Sequence, residues 1–143
     1  MIEYRFLKPT FESKITCWAE VDYLRCNPNH YNQPRYDNVL VNTDSKPLFA
    51  QLCFLLNVSL KEVLYFIAFV QPFKCVVGSR HYNKDKELGF LRLHKQSAHF
   101  IWTCSIIRGV PIFPAFDEED EYIVFDVIDP DMALCVQKIL NTR

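Results

Sequence analysis

Glycine is scarce in this sequence, with three in 143 residues. Loops that wrap phosphate groups need glycine at fixed offsets, and no phosphate-binding loop or dinucleotide fingerprint is present. Nucleophile elbows and metal-protease helix motifs are missing too. No two of the six cysteines stand as C-x-x-C, so neither a redox pair nor a zinc knuckle is spelled out. The longest apolar stretch, Val63 to Val70, is too short to span a bilayer. Met1 to Phe11 carries Glu3, Arg5 and Lys8, which rules out the apolar core of a signal peptide there. A net charge of −1 provides no overall field toward nucleic acid or membrane. Together these absences favour a non-catalytic chain with no cofactor, no metal and no membrane partner, placed in the nucleus or cytoplasm.

What the sequence does contain is hydrophobic and aromatic. Half the residues are hydrophobic and 15% aromatic, with 12 Phe and 7 Tyr. That suffices for one folded domain over 1–143. Cys17, Cys26, Cys53, Cys75, Cys104 and Cys135 sit mostly in apolar contexts. They read as reduced thiols, at least four of them mostly buried.

Short β-branched and aromatic runs bounded by turn residues predict strands. Candidates are Glu3 to Leu7, Ile15 to Arg25, Tyr36 to Asn42, Leu48 to Val58, Tyr65 to Val70, Leu88 to Leu93, His99 to Ile107 and Tyr122 to Ile128. Asn27 to Pro34 reads as a polar loop, and Gln71-Pro72 as a strand end. Ser59 to Glu62 closes a hairpin. The alternative there is a short helix over 59–66 with Ser59 and Glu62 as a capping box, against which Tyr65-Phe66-Ile67 prefers strand. Asp129-Pro130-Asp131 opens a C-terminal α-helix to about Leu140. The expected fold class is therefore mainly β, as a small β-barrel or bent antiparallel sheet with a C-terminal α-helix.

Five candidate chemistries follow from the residues. Cys17, Cys26 and His30 could begin a zinc site, but their spacing lacks a knuckle. Cys75, beside Lys74, comes closest to a nucleophilic cysteine, without any supporting signature. The acidic run Asp117 to Glu121 reads as a solvated loop or as a contact for a basic peptide. Residues 74–108 hold seven cations, Lys74, Arg80, Lys84, Lys86, Arg92, Lys95 and Arg108, against Asp85 and Glu87. Such a patch could hold phosphates, and the acidic run should lie away from it or cap it. Finally, Tyr65, Phe69, Tyr82 and Trp102 are candidate aromatic binding residues, by the logic of a cation cage.

Three stretches carry a resemblance: Tyr23 to Pro28 running into Gln33 to Val41, Pro47 to Leu52, and Ser105 to Gly109. Together they resemble a C-terminal accessory domain in proteins of Plavaka-group, CACTA-like transposons of mushroom-forming fungi. The order Asp37 to Val41, Phe49 to Leu52, Ala68 to Phe73, then Arg80, Lys84 to Leu88 and Ser105 to Gly109, also resembles the bromo-adjacent homology (BAH) domain. That resemblance implies a β-barrel that binds chromatin proteins in the nucleus. The chain has Val70-Gln71 where BAH domains carry an aromatic pair before the proline, so no binding residues are carried over. The leading expectation is an interaction module contacting chromatin or a transposase-associated protein. The alternatives are a DNA-binding module using 74–108, and a divergent enzyme with a cysteine nucleophile.

Overall fold

The two longest elements form one hairpin. β8 (Leu48–Leu60) and β9 (Val63–Cys75) run antiparallel and meet at Lys61 and Glu62. Both turn residues have positive φ, 49° and 66°. A two-residue turn of that hand matches the twist of its strands. The helix alternative over 59–66 is therefore excluded, and Tyr65 and Phe66 lie in β9 opposite Val58 and Asn57. The structure, a computed structural model, describes residues 2–12, 18–43, 47–76 and 90–125.

The remaining elements are mostly short. β1 (Ile2–Tyr4), β2 (Phe6–Leu7), β3 (Thr10–Glu12) and β4 (Ala19–Val21) precede β5 (Leu24–His30), β6 (Gln33–Tyr36) and β7 (Asn38–Val41). After the hairpin come β10 (Phe90–Lys95), β11 (His99–Trp102), a 3-10 turn (Thr103–Ser105), β12 (Ile106–Gly109), β13 (Ile112–Pro114) and β14 (Glu121–Phe125). The described residues are mainly β, with no α-helix among them. The helix expected over Asp131 to Leu140 lies outside the described residues. Among the described residues no helix is long and apolar enough to cross a membrane.

The main sheet is antiparallel and runs β12-β7-β8-β9-β10-β14-β13, with β1 added on β8 and β11 on β9. Its end strands, β12 and β13, are joined by Val110 and Pro111 alone, a span of at most about 10 Å. Asn38 Nδ2 on β7 donates to the Ile112 carbonyl at 3.4 Å, so the sheet bends its ends toward each other. No ladder joins β12 to β13 among the described residues, and the sheet is open. Smaller sheets β2-β5-β6 and β3-β4 complete the fold.

Two apolar clusters sandwich the centre of this sheet. Leu40, Phe49, Phe73, Leu91, Leu93, Val110, Ile112 and Val124 form one. Val39, Val41, Ala50, Leu52, Leu55, Ala68, Val70 and Ile106 pack with Leu24 and Cys26 in the other. β7 is covered on both faces, since consecutive Val39, Leu40 and Val41 are all buried.

Three expectations are corrected. Asn27 to Pro34 is a hairpin and not a loop: β5 and β6 turn at Tyr31 and Asn32, whose φ of 51° and 66° make the same tight turn as at Lys61 and Glu62. His99 to Ile107 is broken by the 3-10 turn, which moves the chain from an edge on β9 to an edge on β7. β9 does not end at Gln71-Pro72. The Pro72 carbonyl accepts from Gln96 N–H at 2.8 Å, so the missing Pro72 N–H faces the gap between β10 and β11 and removes no bond to β8. Of the four described cysteines Cys26 is buried, Cys53 and Cys75 are half-buried and Cys104 is exposed, while Cys17 and Cys135 lie outside the described residues. Cys53 is the extra residue of a β-bulge between Leu52 and Phe54, and the bulge turns it out of the core.

Candidate functional site

The basic segment does not form one open array among the described residues. Arg92 on β10 is buried, its side chain 3% exposed. Its guanidinium grips Asp117 through two bonds of 2.9 and 3.0 Å and reaches Glu121 at 3.0 Å. Leu91 and Leu93 enter the core, and the alternation sends Arg92 to the opposite face, where the turn after β13 covers it. The acidic run thus caps this cation. Arg108 is also buried, 4.4 Å over the Phe11 ring and 3.9 Å from Asp22. Lys95 Nζ donates to Gln51 Oε1 at 3.2 Å and sits 4.9 Å over Tyr122. Lys74 on β9 is exposed. Arg80, Lys84, Lys86 and Tyr82 lie outside the described residues.

Of the zinc candidates Cys17 lies outside the described residues, and Cys75, the nucleophile candidate, is half-buried at the end of β9. Cys26 Sγ donates to the Tyr4 carbonyl, while His30 meets the Tyr31 ring edge-on. Among the described residues no three His, Cys, Asp or Glu side chains are placed to hold a metal. Burial, with Glu3 nearby, pushes the Cys26 thiol up to about 11. Burial also raises Cys53. Neither is a thiolate near neutral pH, as a nucleophile must be.

A polar cleft of about 450 Å³ lies between β6–β7 and the β12–β13 corner, lined by Asp22, Arg35, Asp37, Asn38 and Arg108 among others. Most of its charge is spent within the fold. Asp22 accepts from Gly109 N–H at 2.7 Å, and Asp37 from Arg25 N–H at 2.8 Å and from Arg35 at 3.1 Å. Asn38 Oδ1 is the buried side-chain acceptor left without a partner among the described residues.

The aromatic candidates fare differently. One face of the β8–β9 hairpin starts within the core, where Phe49 and Phe73 pack beneath β10 and β14. The Gln51–Gln71 pair then crosses it with amides, which bond Lys95 and the Gln96 carbonyl. Beyond that polar bar the same face is apolar again but uncovered by any described element. Phe54 faces Phe69, Leu56 faces Ile67 and Val58 faces Tyr65, while β11 lays Phe100 beside Phe69 and Trp102 beside Ile67. Phe54, Phe100 and Trp102 are 49, 62 and 55% exposed. The rings form contacts across three strands, Phe54 to Phe69 at 6.2 Å, Phe69 to Phe100 at 4.9 Å and Tyr65 to Trp102 at 5.8 Å.

The structure therefore brings Tyr65, Phe69 and Trp102 onto one surface. Sequence reasoning missed Phe54 and Phe100, which complete it. Strict alternation would have found Phe100, two residues before Trp102. Phe54 was hidden because the bulge at Cys53 reverses the inward and outward positions of β8. Compared with family models, curated proteins and solved structures, the chain matches none.

Proposed function

We propose that this chain is a non-catalytic protein-interaction module whose contact surface is the aromatic face of β8, β9 and β11. The observation that carries this reading is the apolar face beyond Gln51 and Gln71 that no described element covers, built from the same kinds of side chain as the core it continues. Contiguous apolar surface of this kind marks protein interfaces. The setting is that of the resemblance, a transposon-encoded protein of the nucleus contacting chromatin or transposition-machinery proteins. A BAH-like barrel with a C-terminal helix is the fold that goes with it. Support for the barrel comes from the two-residue link between the end strands of the sheet.

Direct DNA binding through 74–108 draws less support. Phosphate contacts need cations at the surface, whereas Arg92 and Arg108 are held inside ion pairs and packing.

Photocrosslinking tests the proposal. Phe100 is replaced by benzoylphenylalanine and the protein is irradiated alone, with histone octamer and with duplex DNA. Adducts to polypeptide, histone or a second copy, are expected, with none to DNA. DNA adducts that vanish steeply between 50 and 200 mM salt, without polypeptide adducts, would replace this reading with the nucleic-acid one.

A further inference from the structure

We infer that the aromatic face is a self-association surface, and that its occupant is a second copy of this chain packed face to face across a two-fold axis. This rests on the interaction reading above and names the partner of that surface.

Charge is the first argument. In a two-fold contact every group meets its own kind or a neighbour from the same patch, so charge on the patch repels itself. The positions of β8, β9 and β11 that share this face, Phe54 to Val58 against Tyr65 to Phe69 and Phe100 with Trp102, carry none, and Lys61 and Glu62 stand beyond it at the hairpin turn. Glu3, on β1 opposite Leu56, stands at the rim beside Arg5. A partner chosen for basic or acidic character would find nothing to pair with at the centre.

Shape is the second. β9 runs down the middle of the face, with medium side chains on β8 and the large Phe100 and Trp102 on β11. A two-fold axis along β9 lays β8 of one copy on β11 of the other. Leu56 then meets Trp102, a smaller side chain against a larger one, in both halves at once. Two sheets pack in this way at about 10 Å, with side chains interdigitating.

Area is the third. An aromatic side chain carries about 150–250 Å². At their exposures Phe54, Phe100 and Trp102 present roughly 350 Å², and the half-buried Tyr65, Ile67, Phe69, Leu56 and Val58 bring the face to about 500 Å². Two such faces bury about 1,000 Å², the lower bound of a specific interface.

Sedimentation equilibrium of the purified chain from 5 to 500 µM tests this, together with acrylamide quenching of Trp102 in a Trp18→Phe background. Expected is a monomer–dimer equilibrium in that range, with Trp102 quenched freely at 5 µM and shielded at 500 µM. Phe100→Glu, at an exposed position, should weaken the dimer at least tenfold while far-UV circular dichroism is unchanged. Phe116→Glu, exposed outside this face, should leave it intact. A chain monomeric at 500 µM with Trp102 accessible overturns the dimer and leaves the face open to a different protein. A monomer with Trp102 shielded at every concentration overturns both this inference and the interaction reading, since the chain then covers its own face. A dimer that survives Phe100→Glu uses another surface and overturns the inference.

Discussion

Arg92 shows how a cation read as part of a binding patch becomes part of the fold. Its guanidinium is buried with two carboxylates partly open to water, so removing it takes away the cation that Asp117 and Glu121 share. Arg92→Met should cost about 2–4 kcal/mol by urea denaturation, since one partner of a buried pair is lost. Arg92→Lys should recover only part, because an ammonium cannot grip Asp117 with two parallel bonds. Gly109 is a second such residue. A Cβ there would lie 2.8 Å from Leu24 Cδ2, and the Gly109 N–H is committed to Asp22. Gly109→Ala should therefore destabilise by about 1–3 kcal/mol, by forcing β12 off β5. Cys26 carries a pH signature. Its thiol ionises near 9 when unfolded and near 11 when folded, so folding favours the protonated form. That contribution is present below pH 9 and is lost as pH rises toward 11. Thermal melts should show a steeper fall from pH 9 to 10.5 in the parent than in Cys26→Val. Iodoacetamide at pH 8 should label Cys104 well before Cys26, because Cys104 is exposed.

The two tight turns carry backbone strain, as Asp120 before β14 does with a φ of 61°. Tyr31-Asn32 and Lys61-Glu62 hold four non-glycine residues at positive φ. Asn tolerates that region, while Glu and Lys do so at a cost of about 1 kcal/mol each. Lys61→Asn with Glu62→Gly should raise stability by about 1 kcal/mol, measured by urea denaturation, without altering the hairpin register. The hairpin itself was legible: two β-branched and aromatic runs flank a short polar turn. The β5–β6 hairpin was not, because its prolines and asparagines look like a loop. Pro28 and Pro34 are tolerated there because these are short outer strands, with a bulge between Asn27 and His30.

Across the whole molecule, one sheet face is half core and half open surface, and the boundary is a pair of glutamines. Core and exposed apolar side chains should therefore differ in their response to substitution. Leu93→Ala, at a fully buried position, should cost about 2–5 kcal/mol. Phe100→Ser should leave the monomer's denaturation midpoint within about 0.5 kcal/mol of the parent, and should act only on association. Equal losses for the two would mean that Phe100 is packed within the monomer.

The β class and the central hairpin follow from local pattern, because side-chain period and turn chemistry are properties of neighbouring residues. Three of the aromatic candidates could likewise be named from their runs. Which strands lie side by side could not, since pairing depends on contacts distant in sequence, such as β12 on β7 and β1 on β8. Nor could the fate of the charges. Arg92 and Arg108 look like surface cations in the sequence, and only the packing of the turn after β13 and of β3 and Asp22 around them made them interior. The bulge at Cys53 completes the contrast: one extra residue, invisible to periodicity, reverses which side chains of β8 face out and so assembles the aromatic surface.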